Sequence, residues 1–396
     1  MSETPLPRPP FRGWLFHGAR LLWIAMACAL SVKFAFWPED HSVYYPCYET
    51  GGQFWSAGED MYAPPPVCPV DFRYGPAAAM ALAPFAALPT WLGGMLWIWL
   101  NLAVFFASLW ALMRRILPGR WTPQRQGVYL GLVLLGAARS LWSGQSNLLI
   151  FAMIAMAAAA IVENRWWKAA WLLAIPVHIK AWPLAAGLLL SACRPRALAA
   201  RLVACLLGVA ALPFLAKPFA LVCQRYYGWF VVLTGRAAED RHTYRDAWTI
   251  WERFQTHVPH DLYMALQLAT AALVLALCLW QARRRMPVQR LLLFVLVAWA
   301  CWQMVFGPAT ERNTFGLLAP LTSWALITAF EEKRGRVLMS AAFLMTFSAT
   351  FGVTERWLYA FLPWAVFAHP IGTLLLAGWF LAWNARTGQT DAAVIR

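Results

Sequence analysis

The sequence predicts an all-α protein that crosses a membrane many times, and three observations carry the prediction. Of the 396 residues 61% are hydrophobic and only 13% are charged, about half the charged share of a soluble domain. Apolar runs of about 17–25 residues, each long enough to cross a bilayer, recur along the chain. These runs do not alternate polar with apolar residues, as the strands of an outer-membrane barrel would. The net charge of +15 fits cytoplasmic loops, which collect Lys and Arg, and no nucleic-acid partner is expected.

The first span covers residues 21–37. The stretch before it, MSETPLPRPPFRGWLFHGAR, is basic and no small-residue cleavage site follows, so it reads as an uncleaved first helix. Residues 76–89, PAAAMALAPFAALP, are too few to cross at about 1.5 Å per residue. With residues 91–112 behind them they make one net crossing, so part of this segment is expected to be re-entrant or interfacial. Residues 114–126 are basic and belong inside. Residues 127–142 cross to the polar turn SGQSN, and residues 148–161 return. Residues 169–193 are interrupted by PVHIKAWP and read as a hairpin of two short helices with His178, Ile179 and Lys180 at the outer turn. Residues 202–215 go out, 217–260 form a second large polar loop, and 263–280 return. Residues 291–306, 315–330, 337–353 and 372–385 complete about twelve transmembrane or re-entrant segments with both termini cytoplasmic. Most Lys and Arg then lie inside and most acids outside.

The polar stretch from 38 to 76 organises the rest. It holds six acids, Glu39, Asp40, Glu49, Glu59, Asp60 and Asp71, and the single cation Arg73. A third of the chain's 18 acids thus sit in about a tenth of its length. The stretch reads as an outer loop carrying a catalytic carboxylate. Its Gly51, Gly52 and Gly58 make no phosphate-cradling motif and read as loop or helix-end residues. Cys28, Cys193, Cys205, Cys278 and Cys301 fall in or beside apolar runs and read as small packing residues. Cys47 and Cys68 share the loop, where a disulfide and two free thiols are both open. No spacing suggests a metal site, and no cofactor is expected.

Ionisable residues at bilayer depth are tolerated only beside protein or water, so they mark function. Asp40, Arg73, Arg139, Lys180, Arg225, Arg245, Glu311 and Arg312 all fall on the outer side. The plainer reading of each cation is snorkelling or pairing with an acid such as Glu311. As a set, cations from several spans facing one carboxylate-bearing loop suit transfer of a group from a lipid phosphate. A carboxylate would deprotonate an acceptor hydroxyl, and Arg and Lys would neutralise the departing phosphate without a metal. Tyr44, Tyr45, Tyr62 and Tyr74 would offer flat faces and hydroxyls to a sugar. Most of the 25 tryptophans read as interfacial belts.

DHSVYYPCYETGGQFWSAGEDMY followed by FRYGPAAAMALAPFAALP resembles the opening of glycosyltransferase family 87. SGQSNLL resembles that family's Gly-Gln-x-Asn turn, and HIKAWPLAAGLLL its Ile-Lys-x-x-Pro hairpin. The three occur in the family's order over the first half of the chain, and GPATERNTFGLLAP resembles a late motif of some members more loosely. There the chain departs from mannosyl-transferring relatives, with Ala309, Thr310, Glu311 and Arg312 in place of a Ser-Trp-His-type stretch. The resemblance implies a GT-C-type fold over residues 1–396 as a single integral membrane domain. It also implies inverting transfer of a sugar, commonly mannose, from a polyprenyl-phosphate donor on the outer leaflet of the cytoplasmic membrane.

The family's catalytic Asp falls on Asp40, with Glu39 beside it. Lys180, Arg139 and Arg225 or Arg245 become ligands of the donor phosphate. Glu39, His41, Tyr44, Tyr45, Arg73, Tyr74, Gln145, Asn147, His178, Glu311 and Arg312 become ligands of the sugar or acceptor, and 217–260 would border the acceptor. One-step inversion needs no closely spaced retaining pair of carboxylates. The expected partners are the polyprenyl-phosphate sugar, a lipid or glycan acceptor, and membrane lipids. The alternatives are a secondary transporter of about twelve helices and an inactive scaffold of the same fold. A transporter would favour repeated halves with polar breaks at mid-membrane, and the sequence has no internal repeat.

Overall fold

In lipid a backbone N–H or C=O finds no partner outside its own helix, so long apolar runs become helices. The computed structural model describes residues 13–37, 44–62, 72–235, 244–253, 259–284, 286–307, 310–348, 361–362, 365 and 367–394. Among them the regular structure is helical, and the only β pairing is one antiparallel bridge between Tyr244 and Glu311.

Helix α1 spans Trp14–Phe36, α2 Tyr45–Ala57, α3 Pro76–Ala86, α4 Thr90–Arg115, α5 Pro123–Ser143 and α6 Asn147–Val162. Then follow α7 (Trp166–Ile179), α8 (Leu184–Cys193), α9 (Pro195–Ala216), α10 (Phe219–Gly235), α11 (Ala247–Arg253), α12 (His260–Arg283) and α13 (Val288–Phe306). A 3-10 helix over Arg312–Leu318 leads into α14 (Ala319–Glu331), followed by α15 (Arg336–Phe347) and α16 (Ala368–Val394). Residues α1, α4, α9, α13 and 261–283 of α12 are long and apolar enough to cross a membrane. Only 11% of the α12 window is buried within the protein, and Leu262, Leu268 and Leu273 stand exposed on it. An apolar surface of that kind needs a lipid neighbour. The chain is a multi-pass membrane protein.

Helix α6 is buried on nearly every side, with Ile150, Phe151, Ala152, Ile154 and Ala155 fully enclosed. A helix apolar all round belongs at the centre of a bundle, and α4 and α7 flank it. Its first residue, Asn147, is itself fully buried at the end of the α5–α6 turn.

Two sequence expectations change here. The stretch 38–76 is not all loop: α2 begins at Tyr45 with Pro46 in its first turn, and Gly58 ends it in the left-handed conformation at φ 79°. Gly51 and Gly52 lie inside α2, where they permit close packing on Phe72 and α3. The stretch 217–260 is likewise not one loop, because its first part forms α10 and residues 247–253 form α11. In each helix one charged residue meets a distant partner: Glu49 of α2 accepts from Thr90, and Arg225 of α10 pairs with Asp60. The hairpin of short helices is found where the sequence places it, with α7 and α8 meeting at residues 180–183.

Where α2, α3 and α4 meet, the chain has no room for a side chain. A Cβ on Gly93 would stand 1.9 Å from the Tyr45 hydroxyl and 2.5 Å from the Phe85 carbonyl oxygen. These two atoms are hydrogen-bonded to each other at 3.1 Å. Gly93→Ala will lower the melting temperature of the purified protein in detergent, as overpacking costs about 1–3 kcal/mol. Gly131→Ala, whose Cβ meets nothing within 4 Å, will melt at the same temperature or higher. Equal melting of the two variants would refute the close junction at Gly93.

Candidate active site

The α5–α6 turn is the hub of the site. Gly144 ends α5 in the left-handed conformation at φ 66°, and its Cβ position lies 2.8 Å from the Phe34 ring. Glycine alone suits both demands. The Gly144 carbonyl accepts from Trp97 Nε1 at 2.9 Å, which pins the turn to α4. Gln145, Ser146 and Asn147 follow, all buried.

A hydrogen-bonded chain runs through this turn. Tyr44 Oη donates to Glu311 Oε2 at 2.9 Å, and Gln145 Nε2 donates to the same oxygen at 2.9 Å. Asn147 Nδ2 donates to Gln145 Oε1 and, at 3.2 Å, to Thr314 Oγ1. Lys180 Nζ donates to Asn147 Oδ1 at 2.9 Å. A carboxylate and an ammonium are thus joined through two amides whose donors and acceptors are fixed by their partners. Burial and then the Glu311 charge hold the Tyr44 phenol well above its usual range, so it remains a donor.

Lys180 lies in the turn between α7 and α8, outside the spanning helices. Its ammonium is 5.8 Å from the centre of the Tyr74 ring. Burial lowers its pKa, the Glu311 charge opposes that, and the Arg73 charge adds to it. Arg73 Nη1 donates to Tyr244 Oη at 2.9 Å. The Tyr244 backbone pairs with Glu311, and Arg245 N donates to the Thr310 carbonyl at 2.8 Å. Tyr244 and Arg245, just ahead of α11, are therefore laid along Thr310 and Glu311. Arg139, Arg245 and Arg312 all impose positive charge at His369, whose ring stacks on Phe315 at 4.9 Å. Ser140, next to Arg139 on α5, donates to the Asn313 carbonyl, which fixes that helix against the 3-10 helix.

Of the residues expected from sequence, the structure brings Tyr44, Gln145, Asn147, Lys180 and Glu311 into one network. Arg73 and Tyr74 stand beside Lys180, and Arg139, Arg245 and Arg312 gather about His369. Three residues are committed elsewhere. Arg225 is buried in an ion pair with Asp60 at 3.1 Å and donates to the Gly58 carbonyl at 2.9 Å. It closes the end of α2. His178 Nε2 lies 3.1 Å from the Leu206 carbonyl and its ring lies 6.3 Å from that of Trp229. Tyr45 donates to the Phe85 carbonyl and belongs to the α2, α3 and α4 junction. Asp40, Glu39 and His41 lie outside the described residues, as does Cys68, while Cys47 is disulfide-bonded.

Sequence reasoning passed over Tyr48, Ser146, Thr314 and Tyr244. Tyr48 Oη accepts from Tyr74 Oη at 3.1 Å and from the Ser146 N–H at 3.0 Å, and so supports the turn from below. Tyr48, Ser146 and Thr314 fall in stretches already singled out, YYPCYET, SGQSN and ERNT, so nearness to those motifs was the available signal. Among the described residues no group of three or more His, Cys, Asp or Glu gathers as metal ligands.

The sequence model of glycosyltransferase family 87 matches residues 72–308, more than half of the chain. No curated protein matches. Among solved structures, the crystal structure of ArnT from Cupriavidus metallidurans bound to undecaprenyl phosphate is similar at 15% identity and a TM-score of 0.37. The alignment covers 95% of this chain and 78% of that one.

Proposed function

The chain belongs to glycosyltransferase family 87, and from that membership and the site's geometry we propose that it moves a sugar from a polyprenyl-phosphate donor to a lipid or glycan acceptor. The observation that carries this reading is the chain from Tyr44 and Glu311 through Gln145 and Asn147 to Lys180. Lys180 spends one of its three donors on Asn147, so its charge can meet a phosphate as it departs. Glu311 and the two amides form a polar wall suited to sugar hydroxyls. Asp40, on the resemblance, is the general base, and attack by the acceptor hydroxyl on the anomeric carbon inverts it in one step. Arg73 adds positive potential beside Lys180, and Arg139, Arg245 and Arg312 form a second positive region. Mannose is the first donor sugar to try, and the reaction is placed on the outer face of the cytoplasmic membrane with both termini inside.

Purified protein in liposomes with radiolabelled polyprenyl-phosphate mannose tests the reading. The expected result is loss of label from the donor and its appearance in a lipid or glycan product. Label crossing the bilayer unmodified would favour a transporter. If neither mannose nor any other polyprenyl-phosphate sugar yields product, the transferase reading fails.

A further inference from the structure

Helices α1 and α4 pack side by side in opposite directions. Gly94, early in α4, sits against Phe34, late in α1. Further along, Trp99 Nε1 donates to Ser31 Oγ at 2.8 Å, and the Phe106 ring lies 5.7 Å from that of Trp23. A groove of about 510 Å³ follows this seam, walled by Trp23, Ala27, Trp99, Ala103 and Phe106, with Arg20 at its end. Both indoles in the wall already have acceptors, since Trp23 Nε1 donates to the Leu130 carbonyl at 3.1 Å. The walls therefore present no open hydrogen-bond demand. Trp99 and Phe106 stand exposed on the outside of the bundle, so in a membrane protein the groove opens to lipid. None of its lining residues belongs to the network of Glu311 and Lys180.

The polar end of the groove is cationic. The Arg20 guanidinium lies 5.6 Å from the centre of the Phe16 ring, one turn nearer the start of α1. It thus reaches along the helix toward the membrane surface, as a long cationic side chain near a span's end does. The opposed directions of the two helices bring the last turns of α4 to the same level. There Arg114 lies 4.5 Å from the Trp110 ring, and Trp110 stands one turn beyond Phe106 on the same helix face. Among the described residues neither Arg20 nor Arg114 pairs with a carboxylate, whereas the adjacent Arg115 is held by Glu163 at 3.1 Å. Two such cations at the end of an apolar groove are complementary to a phosphate that carries a hydrocarbon chain. The ammonium of a zwitterionic headgroup would bring a further positive charge to this end. A headgroup of net negative charge fits it better.

We propose that the groove binds an anionic phospholipid, with one acyl chain along the α1–α4 seam and the phosphate held by Arg20 and Arg114. From Arg20 to Ala27 the groove runs roughly 10 Å at about 1.5 Å per residue, so it takes the first part of the chain and leaves the tail in the bilayer. The lipid completes the packing of α1, whose spanning window is only 28% buried by protein. Ala27 and Ala103 leave the space open, and a large side chain at the exposed Ala103 would fill it. The site needs only that the chain lies in a membrane and does not depend on the transferase reading.

Photolabelling tests the groove. The full-length protein is placed in phosphatidylcholine nanodiscs with a trace of phosphatidylglycerol bearing a diazirine near the carboxyl end of one acyl chain. Label is expected on the peptides of α1 and α4 that line the groove, displaced by unlabelled phosphatidylglycerol and not by added phosphatidylcholine. Label spread evenly over the lipid-facing helices, α12 included, or equal displacement by the two lipids, would mean ordinary boundary lipid and overturn the proposal. This readout needs no variant and no transfer activity. Arg20→Gln is then expected to lower groove labelling about fivefold, the attraction of one basic residue for anionic lipid, and Ala103→Trp to lower it at least as much. Arg284→Gln is the control, because Arg284 also lies over a tryptophan, Trp280 at 3.6 Å, but outside the groove. A loss in Arg284→Gln equal to that in Arg20→Gln would assign the effect to general surface charge and sink the site. Phosphatidylglycerol added to the protein in detergent is also expected to raise the melting temperature of wild type more than that of Arg20→Gln, as a ligand of the folded state does. Equal shifts in the two proteins would likewise refute a phosphate held by Arg20.

Discussion

Asp40→Asn lowers the turnover of sugar transfer by about 10²–10⁴-fold, the range lost with a general base. Asparagine has nearly the same shape and cannot take the acceptor's proton. The base acts only as the acceptor oxygen attacks, so kcat and kcat/KM fall together and KM for the donor stays close to wild type. Glu39→Gln is the paired variant, because it removes a charge one residue away without removing the base. Rates are measured in proteoliposomes at equal protein, with radiolabelled polyprenyl-phosphate mannose. A deep loss in Glu39→Gln with a mild one in Asp40→Asn would move the base to Glu39. Wild-type rates in both would remove the carboxylate base from this stretch. The sequence links Asp40 to Tyr44 through three residues, and Tyr44 is anchored at both its backbone and its side chain. Its N–H donates to the Ser143 carbonyl at 2.9 Å and its hydroxyl to Glu311. The proposed base is thus tethered in sequence to the network of Tyr44 and Glu311.

That tether shows what the sequence carried and what it could not. The turn SGQSN and the hairpin HIKAWP are separated by some thirty residues, and each was legible because a polar break in an apolar run needs a reason. Their meeting through Asn147 and Lys180 is the central contact of the site. The long spans were legible from hydropathy alone, since lipid forces them to be helical. Helices α2 and α10 were not. The first contains Glu49, whose carboxylate accepts from Thr90 at 2.8 Å, and the second contains Arg225, paired with Asp60. A polar residue that will be satisfied by a distant partner looks in sequence like one that needs water. The same effect made Arg225 look available to a phosphate and His178 look available to a sugar. Whether a cation is spent or offered depends on three-dimensional partners that spacing does not reveal.

Lys180→Met lowers kcat for transfer by about 10²–10³-fold, the loss typical of removing one stabiliser of charge that develops in the transition state. Methionine keeps the length and apolar stem and removes only the charge and its donors. Lys180→Arg restores part of the rate: the charge returns, but the planar fork does not reproduce the geometry of a compact ammonium over the Tyr74 ring. The pH dependence separates a charge role from a packing role. Burial lowers the Lys180 pKa, so in wild type the protonated form is lost as pH rises through that lowered value, and transfer falls on the alkaline side. In Lys180→Arg the guanidinium stays charged throughout, and the alkaline limb that belongs to residue 180 disappears. A limb unchanged in Lys180→Arg would assign it to another group and leave Lys180 as a purely structural neighbour of Asn147. Asn147→Ala completes the test. If Asn147 works by holding the ammonium in place, the double variant Lys180→Met with Asn147→Ala loses less than the product of the two single losses, since both changes remove one shared interaction. Independent, multiplicative losses would mean that the amide touches the substrate on its own account and that the hydrogen bond between them is incidental to transfer.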